Sequence, residues 1–153
     1  MFWEEKIDLV KKQFSQPEFD DPFRSGRQII EKIIRHFHNS TPLKFSQTTD
    51  RKSLIKNCSL IKQCCIDKFY KEELEKLENS TNYWLFLNPD NINRVYDCQK
   101  APLRYLLYLS SGQKKQEFYI VHKKYLWAVY FESDKERNVV EIYKCGNGRT
   151  IFE

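Results

Sequence analysis

The residue types that suggest acid–base chemistry gather at His122, which is followed by Lys123, Lys124 and Tyr125. An imidazole titrates near neutral pH and can pass a proton, and a neighbouring ammonium can stabilise charge on a phosphate. That combination is what a metal-free ribonuclease using His122, Lys124 and Tyr125 would need. Such a mechanism wants a second proton-transfer group, for which Glu117, Glu132 or another histidine are the candidates. The competing reading is a turn carrying solvated basic residues.

The other suggestive groups point away from a cofactor or metal. His36 and His38 lie two apart, and helical residues at that spacing do not face each other, so they read as a helix C-terminus where the dipole favours histidine. Cys64-Cys65 lacks the paired C-x₂₋₄-C spacing of structural zinc. Cys58 and Cys65 are seven apart, two helical turns, and read as small apolar core residues. Gly146-x-Gly148 follows the last apolar run and leads into no helix, so it is a tail turn rather than a phosphate loop. No cofactor is implied.

Charge gives a second lead. The chain of 153 residues has a net charge of +5. Residues 51–71 hold Arg51, Lys52, Lys56, Lys62, Lys68 and Lys71 against Asp67 alone. Residues 100–124 hold Lys100, Arg104, Lys114, Lys115, Lys123 and Lys124 against Glu117 alone. The remainder is net acidic, with Glu18, Asp20, Asp21, Glu72, Glu73, Glu75 and Glu78 prominent. The basic segments suit either a solvated surface or a nucleic-acid contact.

These groups must be positioned by a fold that is legible in outline. Phe2 or Trp3, Ile7, Val10 and Phe14 have helical spacing, and so do Ile29, Ile30, Ile33, Ile34 and Phe37, with Ser25 as an N-cap. From Asp50, the residues Leu54, Ile55, Cys58, Ile61, Cys65 and Phe69 follow a three-to-four spacing. A further helical stretch near 71–78 presents Leu74 and Leu77, with acids and lysines outside. The stretch 51–78 is thus one helix or two, after a loop at 43–50. Tyr83–Leu87 and Arg94–Cys98 form a hairpin around the Asn88-Pro89-Asp90-Asn91 turn. Pro102 opens a leucine-rich helix. Strands follow at Phe118–Val121, Tyr125–Phe131 and Val139–Tyr143.

The expected fold is α+β, with N-terminal helices packed on one face of a mostly antiparallel five-stranded sheet, in the order α-α-α(α)-β-β-α-β-β-β. One domain spans 1–153, with a helical half (1–79), a sheet half (80–146) and a short tail (147–153). Trp84, Phe86, Tyr119 and Trp127 read as core. There is no apolar run near the ~20 residues of a membrane span. Met1-Phe2-Trp3-Glu4-Glu5 lacks a signal-peptide pattern, and the odd, irregularly spaced cysteines read as reduced thiols. A cytoplasmic location is expected.

The stretch Tyr83–Glu141 carries a resemblance. Its hairpin, leucine helix and the motif Tyr119-Ile120-Val121-x-Lys123-Lys124-Tyr125-x-Trp127 resemble a small bacterial family of unknown function. That family is similar to the immunity proteins of polymorphic toxin systems, including contact-dependent growth inhibition. The resemblance implies a non-enzymatic protein that binds and neutralises one toxin domain. The candidate partner contacts are Glu72, Glu73, Glu75 and Glu78, together with Lys123, Lys124 and Tyr125; because the chain is basic overall, either the toxin is not a cationic nuclease or these acids form the contact. An inhibitor that blocks a phosphate-binding cleft should present acids, so reversing Glu72, Glu73 and Glu75 is expected to slow association.

Overall fold

The structure, a computed structural model, describes residues 1–22, 26–37, 58–87, 94–146 and 148–153. Ser25, His38, the basic residues Arg51, Lys52 and Lys56, the 43–50 loop and the 88–91 turn lie outside the described residues.

The fold is α+β as expected, but its strands and helices run α-β-α-β-α-β-β-α-β-β-β rather than helices first. Its strands are β1 (Phe19–Asp20), β2 (Cys58–Cys64), β3 (Tyr83–Leu87), β4 (Arg94–Cys98), β5 (Lys115–His122), β6 (Ala128–Asp134) and β7 (Val139–Cys145). They form one antiparallel sheet in the order β1-β4-β3-β5-β6-β7-β2. The helices are α1 (Trp3–Gln13), α2 (Gly26–Phe37), α3 (Ile66–Lys68) and α4 (Lys100–Leu109). α3 runs on into a π turn, Phe69–Glu73, and a 3₁₀ turn, Leu74–Lys76.

This corrects the five-stranded expectation to seven strands. β1 is two residues long, too short to leave a periodic signal. β2 was hidden by a β-bulge. Its pairing with β7 shifts between Leu60 and Lys62, so Ile61 is the extra residue. A bulge moves the inward positions by one, which turns strict alternation into the three-to-four spacing of a helix. Helical structure within 58–78 begins only at Ile66.

The second correction concerns the faces. One sheet face meets α1, α4 and the α3 segment, through Ile7, Val10, Leu103, Leu106, Phe69 and Leu74 against Leu85, Phe118, Ile120, Val129, Phe131 and Ile142. The opposite face meets α2, whose Ile29, Ile30, Ile33, Ile34 and Phe37 cover Phe86, Tyr119, Val121, Ala128 and Tyr130. The helices therefore sandwich the sheet. Periodicity showed that each helix buries a stripe but not which face receives it. A sheet covered on both faces explains the run Ala128–Phe131, in which every side chain is buried. Each large side chain in this core contributes about 1.5–3 kcal/mol.

Gly146 lets the chain turn away from β7. Its φ is +76°, and an added Cβ would sit 3.3 Å from the Phe37 ring. The glycine thus serves both the backbone conformation and the close approach of α2.

Candidate functional site

The turn from β5 to β6 holds most of the residues flagged for chemistry. β6 starts at Ala128 rather than Tyr125, because Tyr125 sits at φ +58° inside the turn. The Tyr125 N–H donates to the His122 carbonyl at 2.7 Å. Its ring lies 4.9 Å from His36 and beneath Lys32, whose Nζ is 5.0 Å from the ring centre. Tyr125 thereby ties the turn to the last turns of α2.

Lys123 is fixed from two sides. Its Nζ donates to Asp97 Oδ2 at 2.5 Å and sits 4.5 Å above the Trp84 ring. Asp97 also accepts from Asn82 Nδ2 at 2.6 Å, and Asn82 Oδ1 accepts from Gln99 Nε2 at 2.9 Å. Trp84 is therefore half-buried under a cation, not core, whereas Phe86, Tyr119 and Trp127 are buried as expected. Lys124 and Leu126 are exposed at the tip.

His122 Nδ1 accepts the Lys124 N–H at 3.0 Å, so in the neutral ring the proton resides on Nε2. Neither candidate carboxylate is near it. Glu117 lies five residues back along β5, about 16 Å at roughly 3.3 Å per residue, and the odd spacing puts it on the other face. Glu132 pairs directly with Glu117. The structure brings the turn residues together but leaves these carboxylates at the far end of the strand.

The four glutamates proposed as partner contacts do not form one surface. Glu73 is buried, and its carboxylate meets Lys62 Nζ at 2.8 Å and Lys76 Nζ at 2.7 Å. Burial pushes its carboxyl up, but the hydrogen bonds and charges of Lys62 and Lys76 outweigh that and hold it below the usual range. Glu73 is a structural acid pinning the α3 segment to edge strand β2. Phe69, Glu73 and Leu77 are spaced i, i+4, i+8, so the signal placing Glu73 on the buried stripe was present. Glu75 is exposed but engaged by Lys100 at 3.1 Å and by Arg104. Glu72 stands 3.8 Å from Lys68, and Glu78 accepts the Thr81 hydroxyl at 3.1 Å. Glu72 and Glu78 remain exposed.

The basic segments are largely matched by acids. Besides Lys62, Lys71 faces Asp67 at 3.3 Å and Lys114 faces Glu136 at 3.5 Å. Among the described residues, Lys115 and Lys124 have no ion-pair partner, and they stand at opposite ends of β5.

The cysteines also depart from expectation. None of the five is in a disulfide, Cys65 is exposed, and the half-buried Cys58 lies opposite Cys145 on the adjacent strand and hydrogen-bonds with it. Among the described residues no group of three or more His, Cys, Asp or Glu side chains could hold a metal ion, and no helix is long and apolar enough to cross a membrane.

No family model, curated protein or solved structure matches this chain. What the site can do must therefore be read from its own geometry. It presents a short, braced turn that offers a cation, an aromatic ring and an apolar side chain to the outside.

Proposed function

We propose that the protein acts by binding another protein, and that its partner is a toxin domain of a polymorphic toxin system, which it neutralises as an immunity protein. The carrying observation is the β5–β6 turn. Leu126 is 63% exposed at its tip, next to Lys124. Single exposed leucines are ordinary, but this one stands on a turn fixed beneath by Lys123, Asp97 and Trp84 and at the side by Tyr125 and α2. A preorganised tip loses little conformational freedom on binding.

The C-terminal tail extends the same surface. A Cβ at Gly148 would meet the Leu126 carbonyl oxygen at 2.8 Å. Phe152 anchors the tail against Trp127 and Phe131, with ring centroids 6.0 and 5.2 Å away. Ile151, just before it, is 39% exposed. An apolar centre with a charged rim is the usual anatomy of an interface. Glu72 and Glu78 offer exposed acids through which a basic chain can meet a cationic partner. Glu73 drops out, because reversing it would disturb the fold.

The reading predicts a toxin domain encoded beside this chain, and the test is association kinetics with that domain once purified. Leu126→Asp should weaken binding about tenfold or more, and Lys124→Glu should change the on-rate and its salt dependence. Unchanged kinetics in both variants would remove the turn from the interface.

A further inference from the structure

A cavity of about 480 Å³ opens between α1, α4, β3 and β5, at the end of the sheet away from the β5–β6 turn. Its apolar wall comes from Trp3, Leu85, Leu103, Leu106 and Phe118. The volume lies within the ~300–1,000 Å³ of small-molecule sites. Polar groups stand on one side, where Ser110 and Gln116 line it. Lys115 and Glu117 also border it, but they alternate with Gln116 and Phe118 along β5, so their side chains belong to the opposite sheet face.

Lys6, which stands behind Ser110 rather than in the lining itself, adds the decisive feature. It lies one helical turn beyond Trp3 and is only 5% exposed. Its Nζ donates to Ser110 Oγ at 3.1 Å. An ammonium has three donors, yet among the described residues this neutral hydroxyl is its one side-chain acceptor, and it has no ion pair. The other buried charges here are treated differently: Glu73 has Lys62 and Lys76, and Lys100 has Glu75. A buried charge without a counter-charge is costly. An anion entering beside Ser110 would supply one. The Ser110 hydroxyl, already accepting from Lys6, can donate its own proton to that anion.

We propose that this cavity binds a small amphipathic carboxylate, its apolar body against the leucines and Phe118 and its head group on the Ser110 hydroxyl, with the Lys6 charge behind it. The site is separate from the turn assigned to the protein partner, so either assignment can fail alone.

Titration calorimetry of the whole chain with decanoate and with decan-1-ol tests it. Decanoate should bind about tenfold or more tightly than the alcohol. Lys6→Met should cut decanoate affinity by a similar factor and leave decan-1-ol within about twofold. Should Lys6→Met not fold, the wild-type comparison still decides, supported by the NMR shift of the Trp3 indole N–H on adding decanoate. No decanoate binding up to about 1 mM, equal affinity for the two probes, or an unmoved Trp3 signal would each overturn the proposal.

Discussion

Glu73 offers the sharpest test of how the structure sorts its acids. Replacing it with Gln keeps the shape and removes the charge, leaving Lys62 and Lys76 facing a neutral amide. Removing one partner of a buried ion pair typically costs about 3–5 kcal/mol. Here the lysines are roughly one-third exposed, at 29% and 33%, and can turn partly to solvent, so a loss of about 2–3 kcal/mol is expected. For a chain of this size that lowers Tm by about 4–12 °C, and urea denaturation should show it as an earlier midpoint. The pH dependence gives a second reading. Because the folded carboxyl is held below its unfolded value, its contribution is present above the ordinary carboxylate pKa of about 4.3 and is lost as pH falls through the lower folded value. Wild type and Glu73→Gln should therefore converge in acid. A gap under about 0.5 kcal/mol at neutral pH, the size of an ordinary surface change, or a gap unchanged down to acid pH, would refute the reasoning.

Gly146→Ala should destabilise by about 1–3 kcal/mol, because a side chain at φ +76° is strained and its Cβ meets Phe37; a melting temperature equal to wild type would contradict this. In the native protein a thiol reagent should label Cys65 first. Burial pushes the Cys98 thiol up, and the hydrogen bond to Cys58 followed by burial does the same for Cys145. Both should react only on unfolding, as mass spectrometry of partly labelled protein would show.

The aromatic half of the fold was readable because each strand carries a local signature: the run Tyr83–Leu87, the return strand Arg94–Cys98, and Val139–Tyr143 before the glycines. What stayed hidden depends on pairing rather than on local pattern. Ile61 looks helical until β7 supplies the register that exposes a bulge. Phe19–Asp20 is a strand only because β4 lies beside it. The side of the sheet taken by α2 is likewise set by tertiary connection, as its isoleucine stripe fits either face.

The same holds for the candidate sites. His122 through Tyr125 were found as a sequence cluster, but their roles come from distant partners, Asp97 and Trp84 for Lys123 and His36 for Tyr125. Glu73 reads as an outward contact and Lys6 goes unremarked in the sequence, although the spacing of each puts it on an apolar stripe. Phe69-x₃-Glu73-x₃-Leu77 and Trp3-x₂-Lys6-x₃-Val10 both place a charge inside.

The most direct measurement starts from the genome: a toxin domain encoded beside this chain is expressed in cells, with this chain supplied from a second promoter, and growth is followed. Absence of any such gene would itself contradict the immunity reading. The account predicts that the wild-type chain restores growth, and that folded Leu126→Asp, Lys124→Glu double variants do not. Failure of the wild type to protect would contradict the immunity reading, and full protection by the double variant would contradict the surface assigned to it.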